Sequence, residues 1–197
     1  MNFLDINMPV NKVAPSTGKL LVAEPFLSDP NFARSVILLC EHGEEGSVGF
    51  ILNHATELTL GDLLPEMLNK DVAVYQGGPV QMDTLHMLHR MPEKLGGTEI
   101  VPGVYWGGSY EALQDVILTN DYKPSDLRLF VGYAGWSKDQ LTKELDESSW
   151  IITDAKPNLL FETEPKNVWK EAIRTLGKEY AFIENMPLWD RFKKIDG

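Results

Sequence analysis

Cysteine is nearly missing from this chain. One thiol, Cys40, stands among 197 residues. No intrachain disulfide can form, which suits a reducing compartment. Long apolar runs are missing too, and none reaches the roughly 18 residues of a membrane span. The first 18 residues lack both a basic stretch and a continuous apolar core, so no secretory signal is expected there. The expected location is cytoplasmic, with no membrane association. Positive charge is scarce: 18 basic residues face 29 acidic ones, for a net charge of −11. Duplex binding rests on Lys and Arg neutralising phosphates, so this balance weighs against direct nucleic-acid contact.

Catalytic and metal signatures are also missing. No serine sits in a Gly-x-Ser-x-Gly elbow, and no two carboxylates are marked by context as an acid/base pair. Gly18-Lys19 is not a phosphate loop, because Leu20 follows and Val13 stands where the first glycine belongs. The acidic Glu41-His42-Gly43-Glu44-Glu45 stretch has the wrong spacing for a calcium loop. The four histidines do not converge. His42 lies at the turn of a hairpin and His54 at its open end. His86 and His89 are three apart in an expected strand, hence on opposite faces. Cys40 and His42 share a face in a regular strand, but no third group is evident to orient them. No metal, cofactor or catalytic residue is expected, and Cys40 is expected to be buried and inert.

What is present argues for a folded domain. A hydrophobic fraction of 43% and five tryptophans fit a globular chain with a real core. One domain is expected over residues 18–185, with a mobile lead-in at 1–17 and a tail at 186–197. Lys19–Ala23 is a short strand ended by Pro25, and Val36–Cys40 is continuously apolar, as a strand buried on both faces is. Val36–Cys40 and Val48–Leu52 form the clearest hairpin. Thr59 caps a short helix with Asp62 as its box partner and Leu58 and Leu63 as a staple. Further strands are expected at 72–75, 84–90, 98–106 and 150–153. Ser109 caps a helix with Tyr110, Leu113, Val116 and Ile117 on its apolar face. Pro165 opens a last helix with Val168, Ala172, Ile173 and Leu176 inward and Gly177 as its stop. Residues 178–197 are weakly patterned. Hairpins alternating with strand–helix pairs indicate an α+β fold with a mixed sheet flanked by helices.

The densest signal lies at 129–141. Leu129–Tyr133 begins as an apolar strand, and Gly132 and Gly135 interrupt it. Ser137 has the character of an N-cap, Gln140 of its box partner, and Trp136 and Leu141 of a staple. The pattern predicts a helix starting within a residue or two of Ser137.

These pieces, in order, resemble the AlgH/YqgE family of uncharacterised bacterial proteins. The matching stretches are Gly18-Lys19-Leu20-Leu21-Val22-Ala23, Phe32-Ala33-Arg34-Ser35-Val36, Glu41-His42, and Gly46-Ser47-Val48-Gly49-Phe50-Ile51-Leu52-Asn53. They continue with Gly77-Gly78-Pro79-Val80, Leu88-His89, Gly132-Tyr133-Ala134-Gly135-Trp136 with Gln140-Leu141, and Trp150. The chain departs from the family pattern between the Trp and Gln-Leu. The family usually has a small residue or proline and then glycine, where this chain has Ser137-Lys138-Asp139. The resemblance implies a single domain whose bent sheet is partly closed into a pseudo-barrel. It brings a transcriptional-regulator label but no catalytic residues, and no helix-turn-helix pattern accompanies it.

The expected function is therefore non-enzymatic binding or regulation through a protein or small-molecule partner, with any effect on transcription indirect. The alternative is a ligand-binding enzyme such as a hydrolase, with its cleft near His42 or near the strand–helix joints at Gly107 and Gly135. The candidate ligand or partner surface comprises His42, Asn53, Gly77, Gly78, Gly107, Gly108, Ser109, Gly135, Trp136 and Ser137. At helix starts such as these joints, free amides and the helix dipole attract anions unless a cap already takes the amides.

Overall fold

Strands that bury both faces need cover on both sides, and this requirement organises the molecule. The computed structural model describes residues 9, 11–67 and 70–186. In β1 (Lys19–Ala23) and β2 (Val36–Gly43), Leu20, Val22, Val36 and Leu38 point into one core, while Leu21, Ala23, Ile37 and Leu39 point into another. The chain continues through β3 (Gly46–Ile51), β4 (Ala55–Thr59), α1 (Leu60–Leu63), β5 (Ala73–Gln76), β6 (Val80–His89) and α2 (Pro92–Leu95). Then follow β7 (Thr98–Val101), β8 (Val104–Trp106), α3 (Tyr110–Leu118), β9 (Leu127–Ser137) and α4 (Gln140–Asp146). The order closes with β10 (Trp150–Asp154), α5 (Pro157–Phe161), α6 (Pro165–Thr175) and a 3-10 turn at Lys178–Ile183.

The sheet runs β10-β1-β2-β3-β9-β6-β8-β7, with β5 joining β9 and β4 joining β5. The β5–β9 pair is parallel and the other pairs are antiparallel. β9 is the axis. One edge holds β3 at Ala134–Ser137 and β5 at Leu129–Val131, while β6 takes the other edge. The Gly77 carbonyl accepts from Ile51 N and its amide donates to Val131 O, which stitches the fork between β3 and β5. Here the backbones nearly touch. Gly132 is left-handed at φ 65°, and a Cβ on it would lie 2.6 Å from Gly78 O. Such an approach needs glycine.

The sheet curls into a half-barrel, giving one α+β domain. Ile100 and Val104 from the β7–β8 end share a core with Leu20 and Ile151 from the β1–β10 end. That core also takes Val168, Trp169, Ala172 and Ile173 from α6, and Tyr180 and Ile183 from the 3-10 turn. The opposite face is covered in two parts. Leu113, Val116 and Ile117 of α3 pack on Leu127, Leu129 and Val131. Leu141 of α4 packs with Trp136 and Trp150. No helix among the described residues is long and apolar enough to cross a membrane.

The structure corrects several local expectations. β9 runs through both Gly132 and Gly135 to Ser137, and α4 begins only at Gln140, behind the left-handed Asp139 at φ 61°. Tyr110 is 47% exposed and is not part of the buried face of α3; its hydroxyl donates to Leu85 O. Leu58 is 40% exposed, so it makes no staple. α5 and the 3-10 turn had no clear sequence signal. Of the expected lead-in and tail, residues 1–8, residue 10 and residues 187–197 lie outside the described residues. Asn11 exchanges two hydrogen bonds with the main chain of Ile152, at 2.9 and 3.2 Å.

Candidate functional site

The turn between β2 and β3 projects beside the end of β9, and this places four of the expected residues together. Ser47 pairs with His42 across the hairpin and with Trp136 on β9. A bulge after Leu39 resets the alternation. Glu41 lies opposite Val48, and His42 opposite Ser47. His42 is thereby turned to the Trp136 side, while the Cys40 side chain stays in the core of Leu38 and Phe50. A shared face for Cys40 and His42 is thus overturned, because a bulge adds one residue and inverts the period of two. Cys40 is buried, and burial pushes its thiol well above the usual value.

His42 Nδ1 sits 2.8 Å from Ser47 Oγ. On one side of the turn a cleft of about 530 Å³ is walled by Val48, Val80 and Tyr133 and rimmed by Glu41, Glu44 and Glu45, while the Trp136 ring packs on the opposite face of the sheet. A second hollow of about 620 Å³ shares His42, Ser47 and Ser137 and reaches Lys138, Asp139 and Thr142. His42, Gly135, Trp136 and Ser137 all line the first cleft. The three rim glutamates are exposed, so the opening is acidic above apolar walls.

Behind it lies an aromatic brace. Phe32 stacks on Trp136 with centroids 6.4 Å apart and meets Trp150 edge-on at 5.7 Å. Both indoles donate to one carboxylate oxygen, Glu144 Oε2, at 2.8 Å from Trp136 and 2.7 Å from Trp150. Gln140 Nε2 donates to Glu144 Oε1 at 2.9 Å. Glu144 was not a candidate from the sequence; its only local signal is its place four residues after Gln140 on a helix.

Ser137 does less than its capping pattern promised. Gln140 Oε1 accepts from Ser137 N at 3.0 Å, which is half of a capping box. Ser137 Oγ contacts the same oxygen at 3.3 Å and caps no amide. Asp139, directly before Gln140, takes the left-handed geometry that a glycine there would take without strain. Ser137→Ala is accordingly expected to cost no more than about 0.5 kcal/mol by denaturant titration, below the roughly 1 kcal/mol of a true N-cap.

The other candidate residues do not line this cleft. Asn53 Oδ1 accepts from Val36 N, and its Nδ2 donates to Arg34 O, both at 2.9 Å, so it ties down the segment entering β2. Gly77 and Gly78 allow close packing on β9. At Gly107-Gly108-Ser109, Ser109 Oγ accepts from Ala112 N at 3.2 Å. A Cβ on Gly108 would meet Leu95 O at 2.2 Å. His89 clamps the same joint. It is fully buried; its Nδ1 accepts from Met91 N at 3.1 Å, so its Nε2–H donates to Gly107 O at 2.9 Å. Among the described residues, no group of three or more His, Cys, Asp or Glu is placed to hold a metal.

Burial lowers the pKa of His54, His86 and His89. The unfolded chain therefore binds more protons below the ordinary histidine value of about 6.5, so stability falls as pH falls through that value toward the folded pKa values. Melts from pH 7.5 to 5 should show this loss. In His89→Gln the slope should be shallower, because one of the three titrations is gone.

A family model described as AlgH-like matches residues 20–181, which is most of the chain. The chain belongs to this AlgH-like family. A UPF0301 protein of Chlorobaculum tepidum, CT0663, is 44% identical over 86% of this chain and 91% of its own length. The solution structure of AlgH from Pseudomonas aeruginosa aligns with a TM-score of 0.71 at 27% identity, over 89% of this chain and 97% of that one. A crystal structure of DIP2367 from Corynebacterium diphtheriae aligns at 0.72 and 23% identity, over 93% and 97%, and shows the shared fold alone. AlgH-like proteins form a family of uncharacterised proteins, so membership establishes the half-barrel fold and leaves the activity to the site.

Proposed function

We propose that this AlgH-like protein is a non-enzymatic binding protein whose partner surface is the cleft beside the β2–β3 turn. The observation that carries the reading is the cleft itself: apolar walls from Val48, Val80 and Tyr133 beneath a rim of Glu41, Glu44 and Glu45. Such a surface favours a partner segment with apolar and cationic side chains and repels a phosphate backbone. Regulation, where it occurs, then passes through that partner and not through contact with DNA.

The hydrolase alternative has one point in its favour, the His42–Ser47 pair at 2.8 Å. A working nucleophile needs more. It needs a third group to orient the base and donors aimed at a developing oxyanion. Among the described residues, His42 Nε2 has no hydrogen-bond partner, and Ser47 is buried in the sheet. The pair is better suited to holding the hairpin in register. The test is turnover of p-nitrophenyl esters and phosphates by the purified protein and by Ser47→Ala. The binding reading expects both to match the buffer blank. Turnover that disappears in Ser47→Ala would overturn it.

A further inference from the structure

Away from that cleft, Arg128 is a largely buried cation with no ion-pair partner among the described residues. It is only 5% exposed and sits on β9 opposite Leu88. Its Nη1 donates to Leu52 O at 3.0 Å, and its guanidinium carbon lies 4.6 Å from the ring centroid of Tyr75. Its Nε–Nη2 edge makes no hydrogen bond among the described residues and is not sealed from solvent. The nearby Glu162 is committed elsewhere, pairing with Arg90 at 3.2 Å. Arginine stays charged in proteins, and an edge without a protein partner is free to take an anion. The Leu52 carbonyl and the Tyr75 face occupy only part of the guanidinium.

Arg128 also lines a cavity of about 540 Å³, which is ample for a small molecule. Tyr75, Tyr122, Pro124 and Phe161 supply flat apolar walls. Arg90 lies over the Phe161 ring at 4.6 Å and pairs with Glu162, so that pair leaves Arg128 as the cation facing the cavity. We propose that this cavity binds a small carboxylate with a flat apolar body, its carboxylate gripped side-on by the Nε–Nη2 edge of Arg128. That edge matches the spacing of the two carboxylate oxygens. Asp71 lines the same cavity, so a multiply charged phosphate meets more repulsion than a monoanion does.

Benzoate is the probe, with benzamide as its neutral shape-mate and inorganic phosphate as the competing anion. The full chain is titrated with each while backbone amide and arginine side-chain resonances are followed. Benzoate is expected to shift Tyr122, Ser125, Phe161 and the Arg128 Nε–H, and to bind about tenfold tighter than benzamide, the margin of a lost charge-assisted contact. Phosphate should leave these signals unmoved. Arg128→Lys keeps the charge and removes the fork, so it should weaken benzoate by a similar factor. Ser125→Trp leaves Arg128 intact and fills the cavity from its wall, so it should abolish binding even if the lysine variant folds poorly. Benzoate shifts elsewhere on the molecule, equal affinity for benzamide, tighter phosphate binding, or undiminished binding in Ser125→Trp would each overturn the assignment.

Discussion

Replacing Trp136 with alanine is expected to lower the unfolding free energy by about 3–5 kcal/mol, the range for deleting a buried aromatic side chain. The ring is 5% exposed. It stacks on Phe32, meets Trp150 edge-on and donates to Glu144. Its loss leaves a void between β9 and α4 and removes one of the two indole donors that hold Glu144. In a domain of this size the melting temperature should drop by roughly 10 °C. Trp136→Phe separates the terms: it keeps most of the ring area and removes the donor, so about 1–2 kcal/mol should be lost. A loss below about 1 kcal/mol for the alanine variant would mean that the aromatic brace does not hold the site.

The second large effect is expected at Gly132. Valine there must adopt φ 65°, with its Cβ 2.6 Å from Gly78 O and 2.8 Å from Val80 O. The left-handed conformation alone costs about 1–2 kcal/mol for a residue with a Cβ, and more for a branched one. Both oxygens are backbone and cannot swing away. Gly132→Val should therefore cost about 3 kcal/mol or more, through strain and the opening of the β9 fork. Gly43→Ala is the control. A Cβ on Gly43 would meet nothing within 4 Å, so that change should stay within about 0.5 kcal/mol. Both are read by denaturant titration, and equal effects would contradict the crowding at the fork.

These two sites also show what the sequence could and could not reveal. Local chemistry was readable where the chain solves a problem within a few residues. Thr59 and Asp62 form their capping box, Ser109 caps α3, and Pro165 opens α6 with Val168, Ala172 and Ile173 buried. The unbroken apolar run Val36–Cys40 announced a strand covered on both faces. The same logic misplaced the start of α4. Ser137 and Gln140 carry a capping pattern, and Gln140 does return to the Ser137 amide. Pairing of β9 with β3 still holds Ser137 in the sheet, opposite Gly46. A tertiary ladder outweighed a local signal. The bulge that turns His42 away from Cys40 leaves no mark in the sequence.

The candidate site was partly legible for the same reason. His42, Gly135, Trp136 and Ser137 stood out as a turn and a joint, and strand pairing brought them together. Nothing local could have linked Glu144 to both Trp136 and Trp150, or Arg128 to Tyr75. Arg128 lies in an apolar strand pattern, where its charge is visible but its lack of an ion-pair partner among the described residues is not. Such partners come from parts of the chain that only the curled sheet makes neighbours.

The most direct test of the central proposal, a cleft that binds an apolar, cationic partner, is a titration followed by backbone amide shifts. The probe is a short peptide alternating arginine and leucine, compared with its glutamate–leucine counterpart and repeated with Glu44→Lys/Glu45→Lys. The account predicts shifts concentrated at His42, Ser47, Gly135 and Ser137 with the arginine peptide only, and weakened by the double charge reversal on the exposed rim. Shifts spread over other surfaces, or equal binding of the acidic peptide, would contradict it.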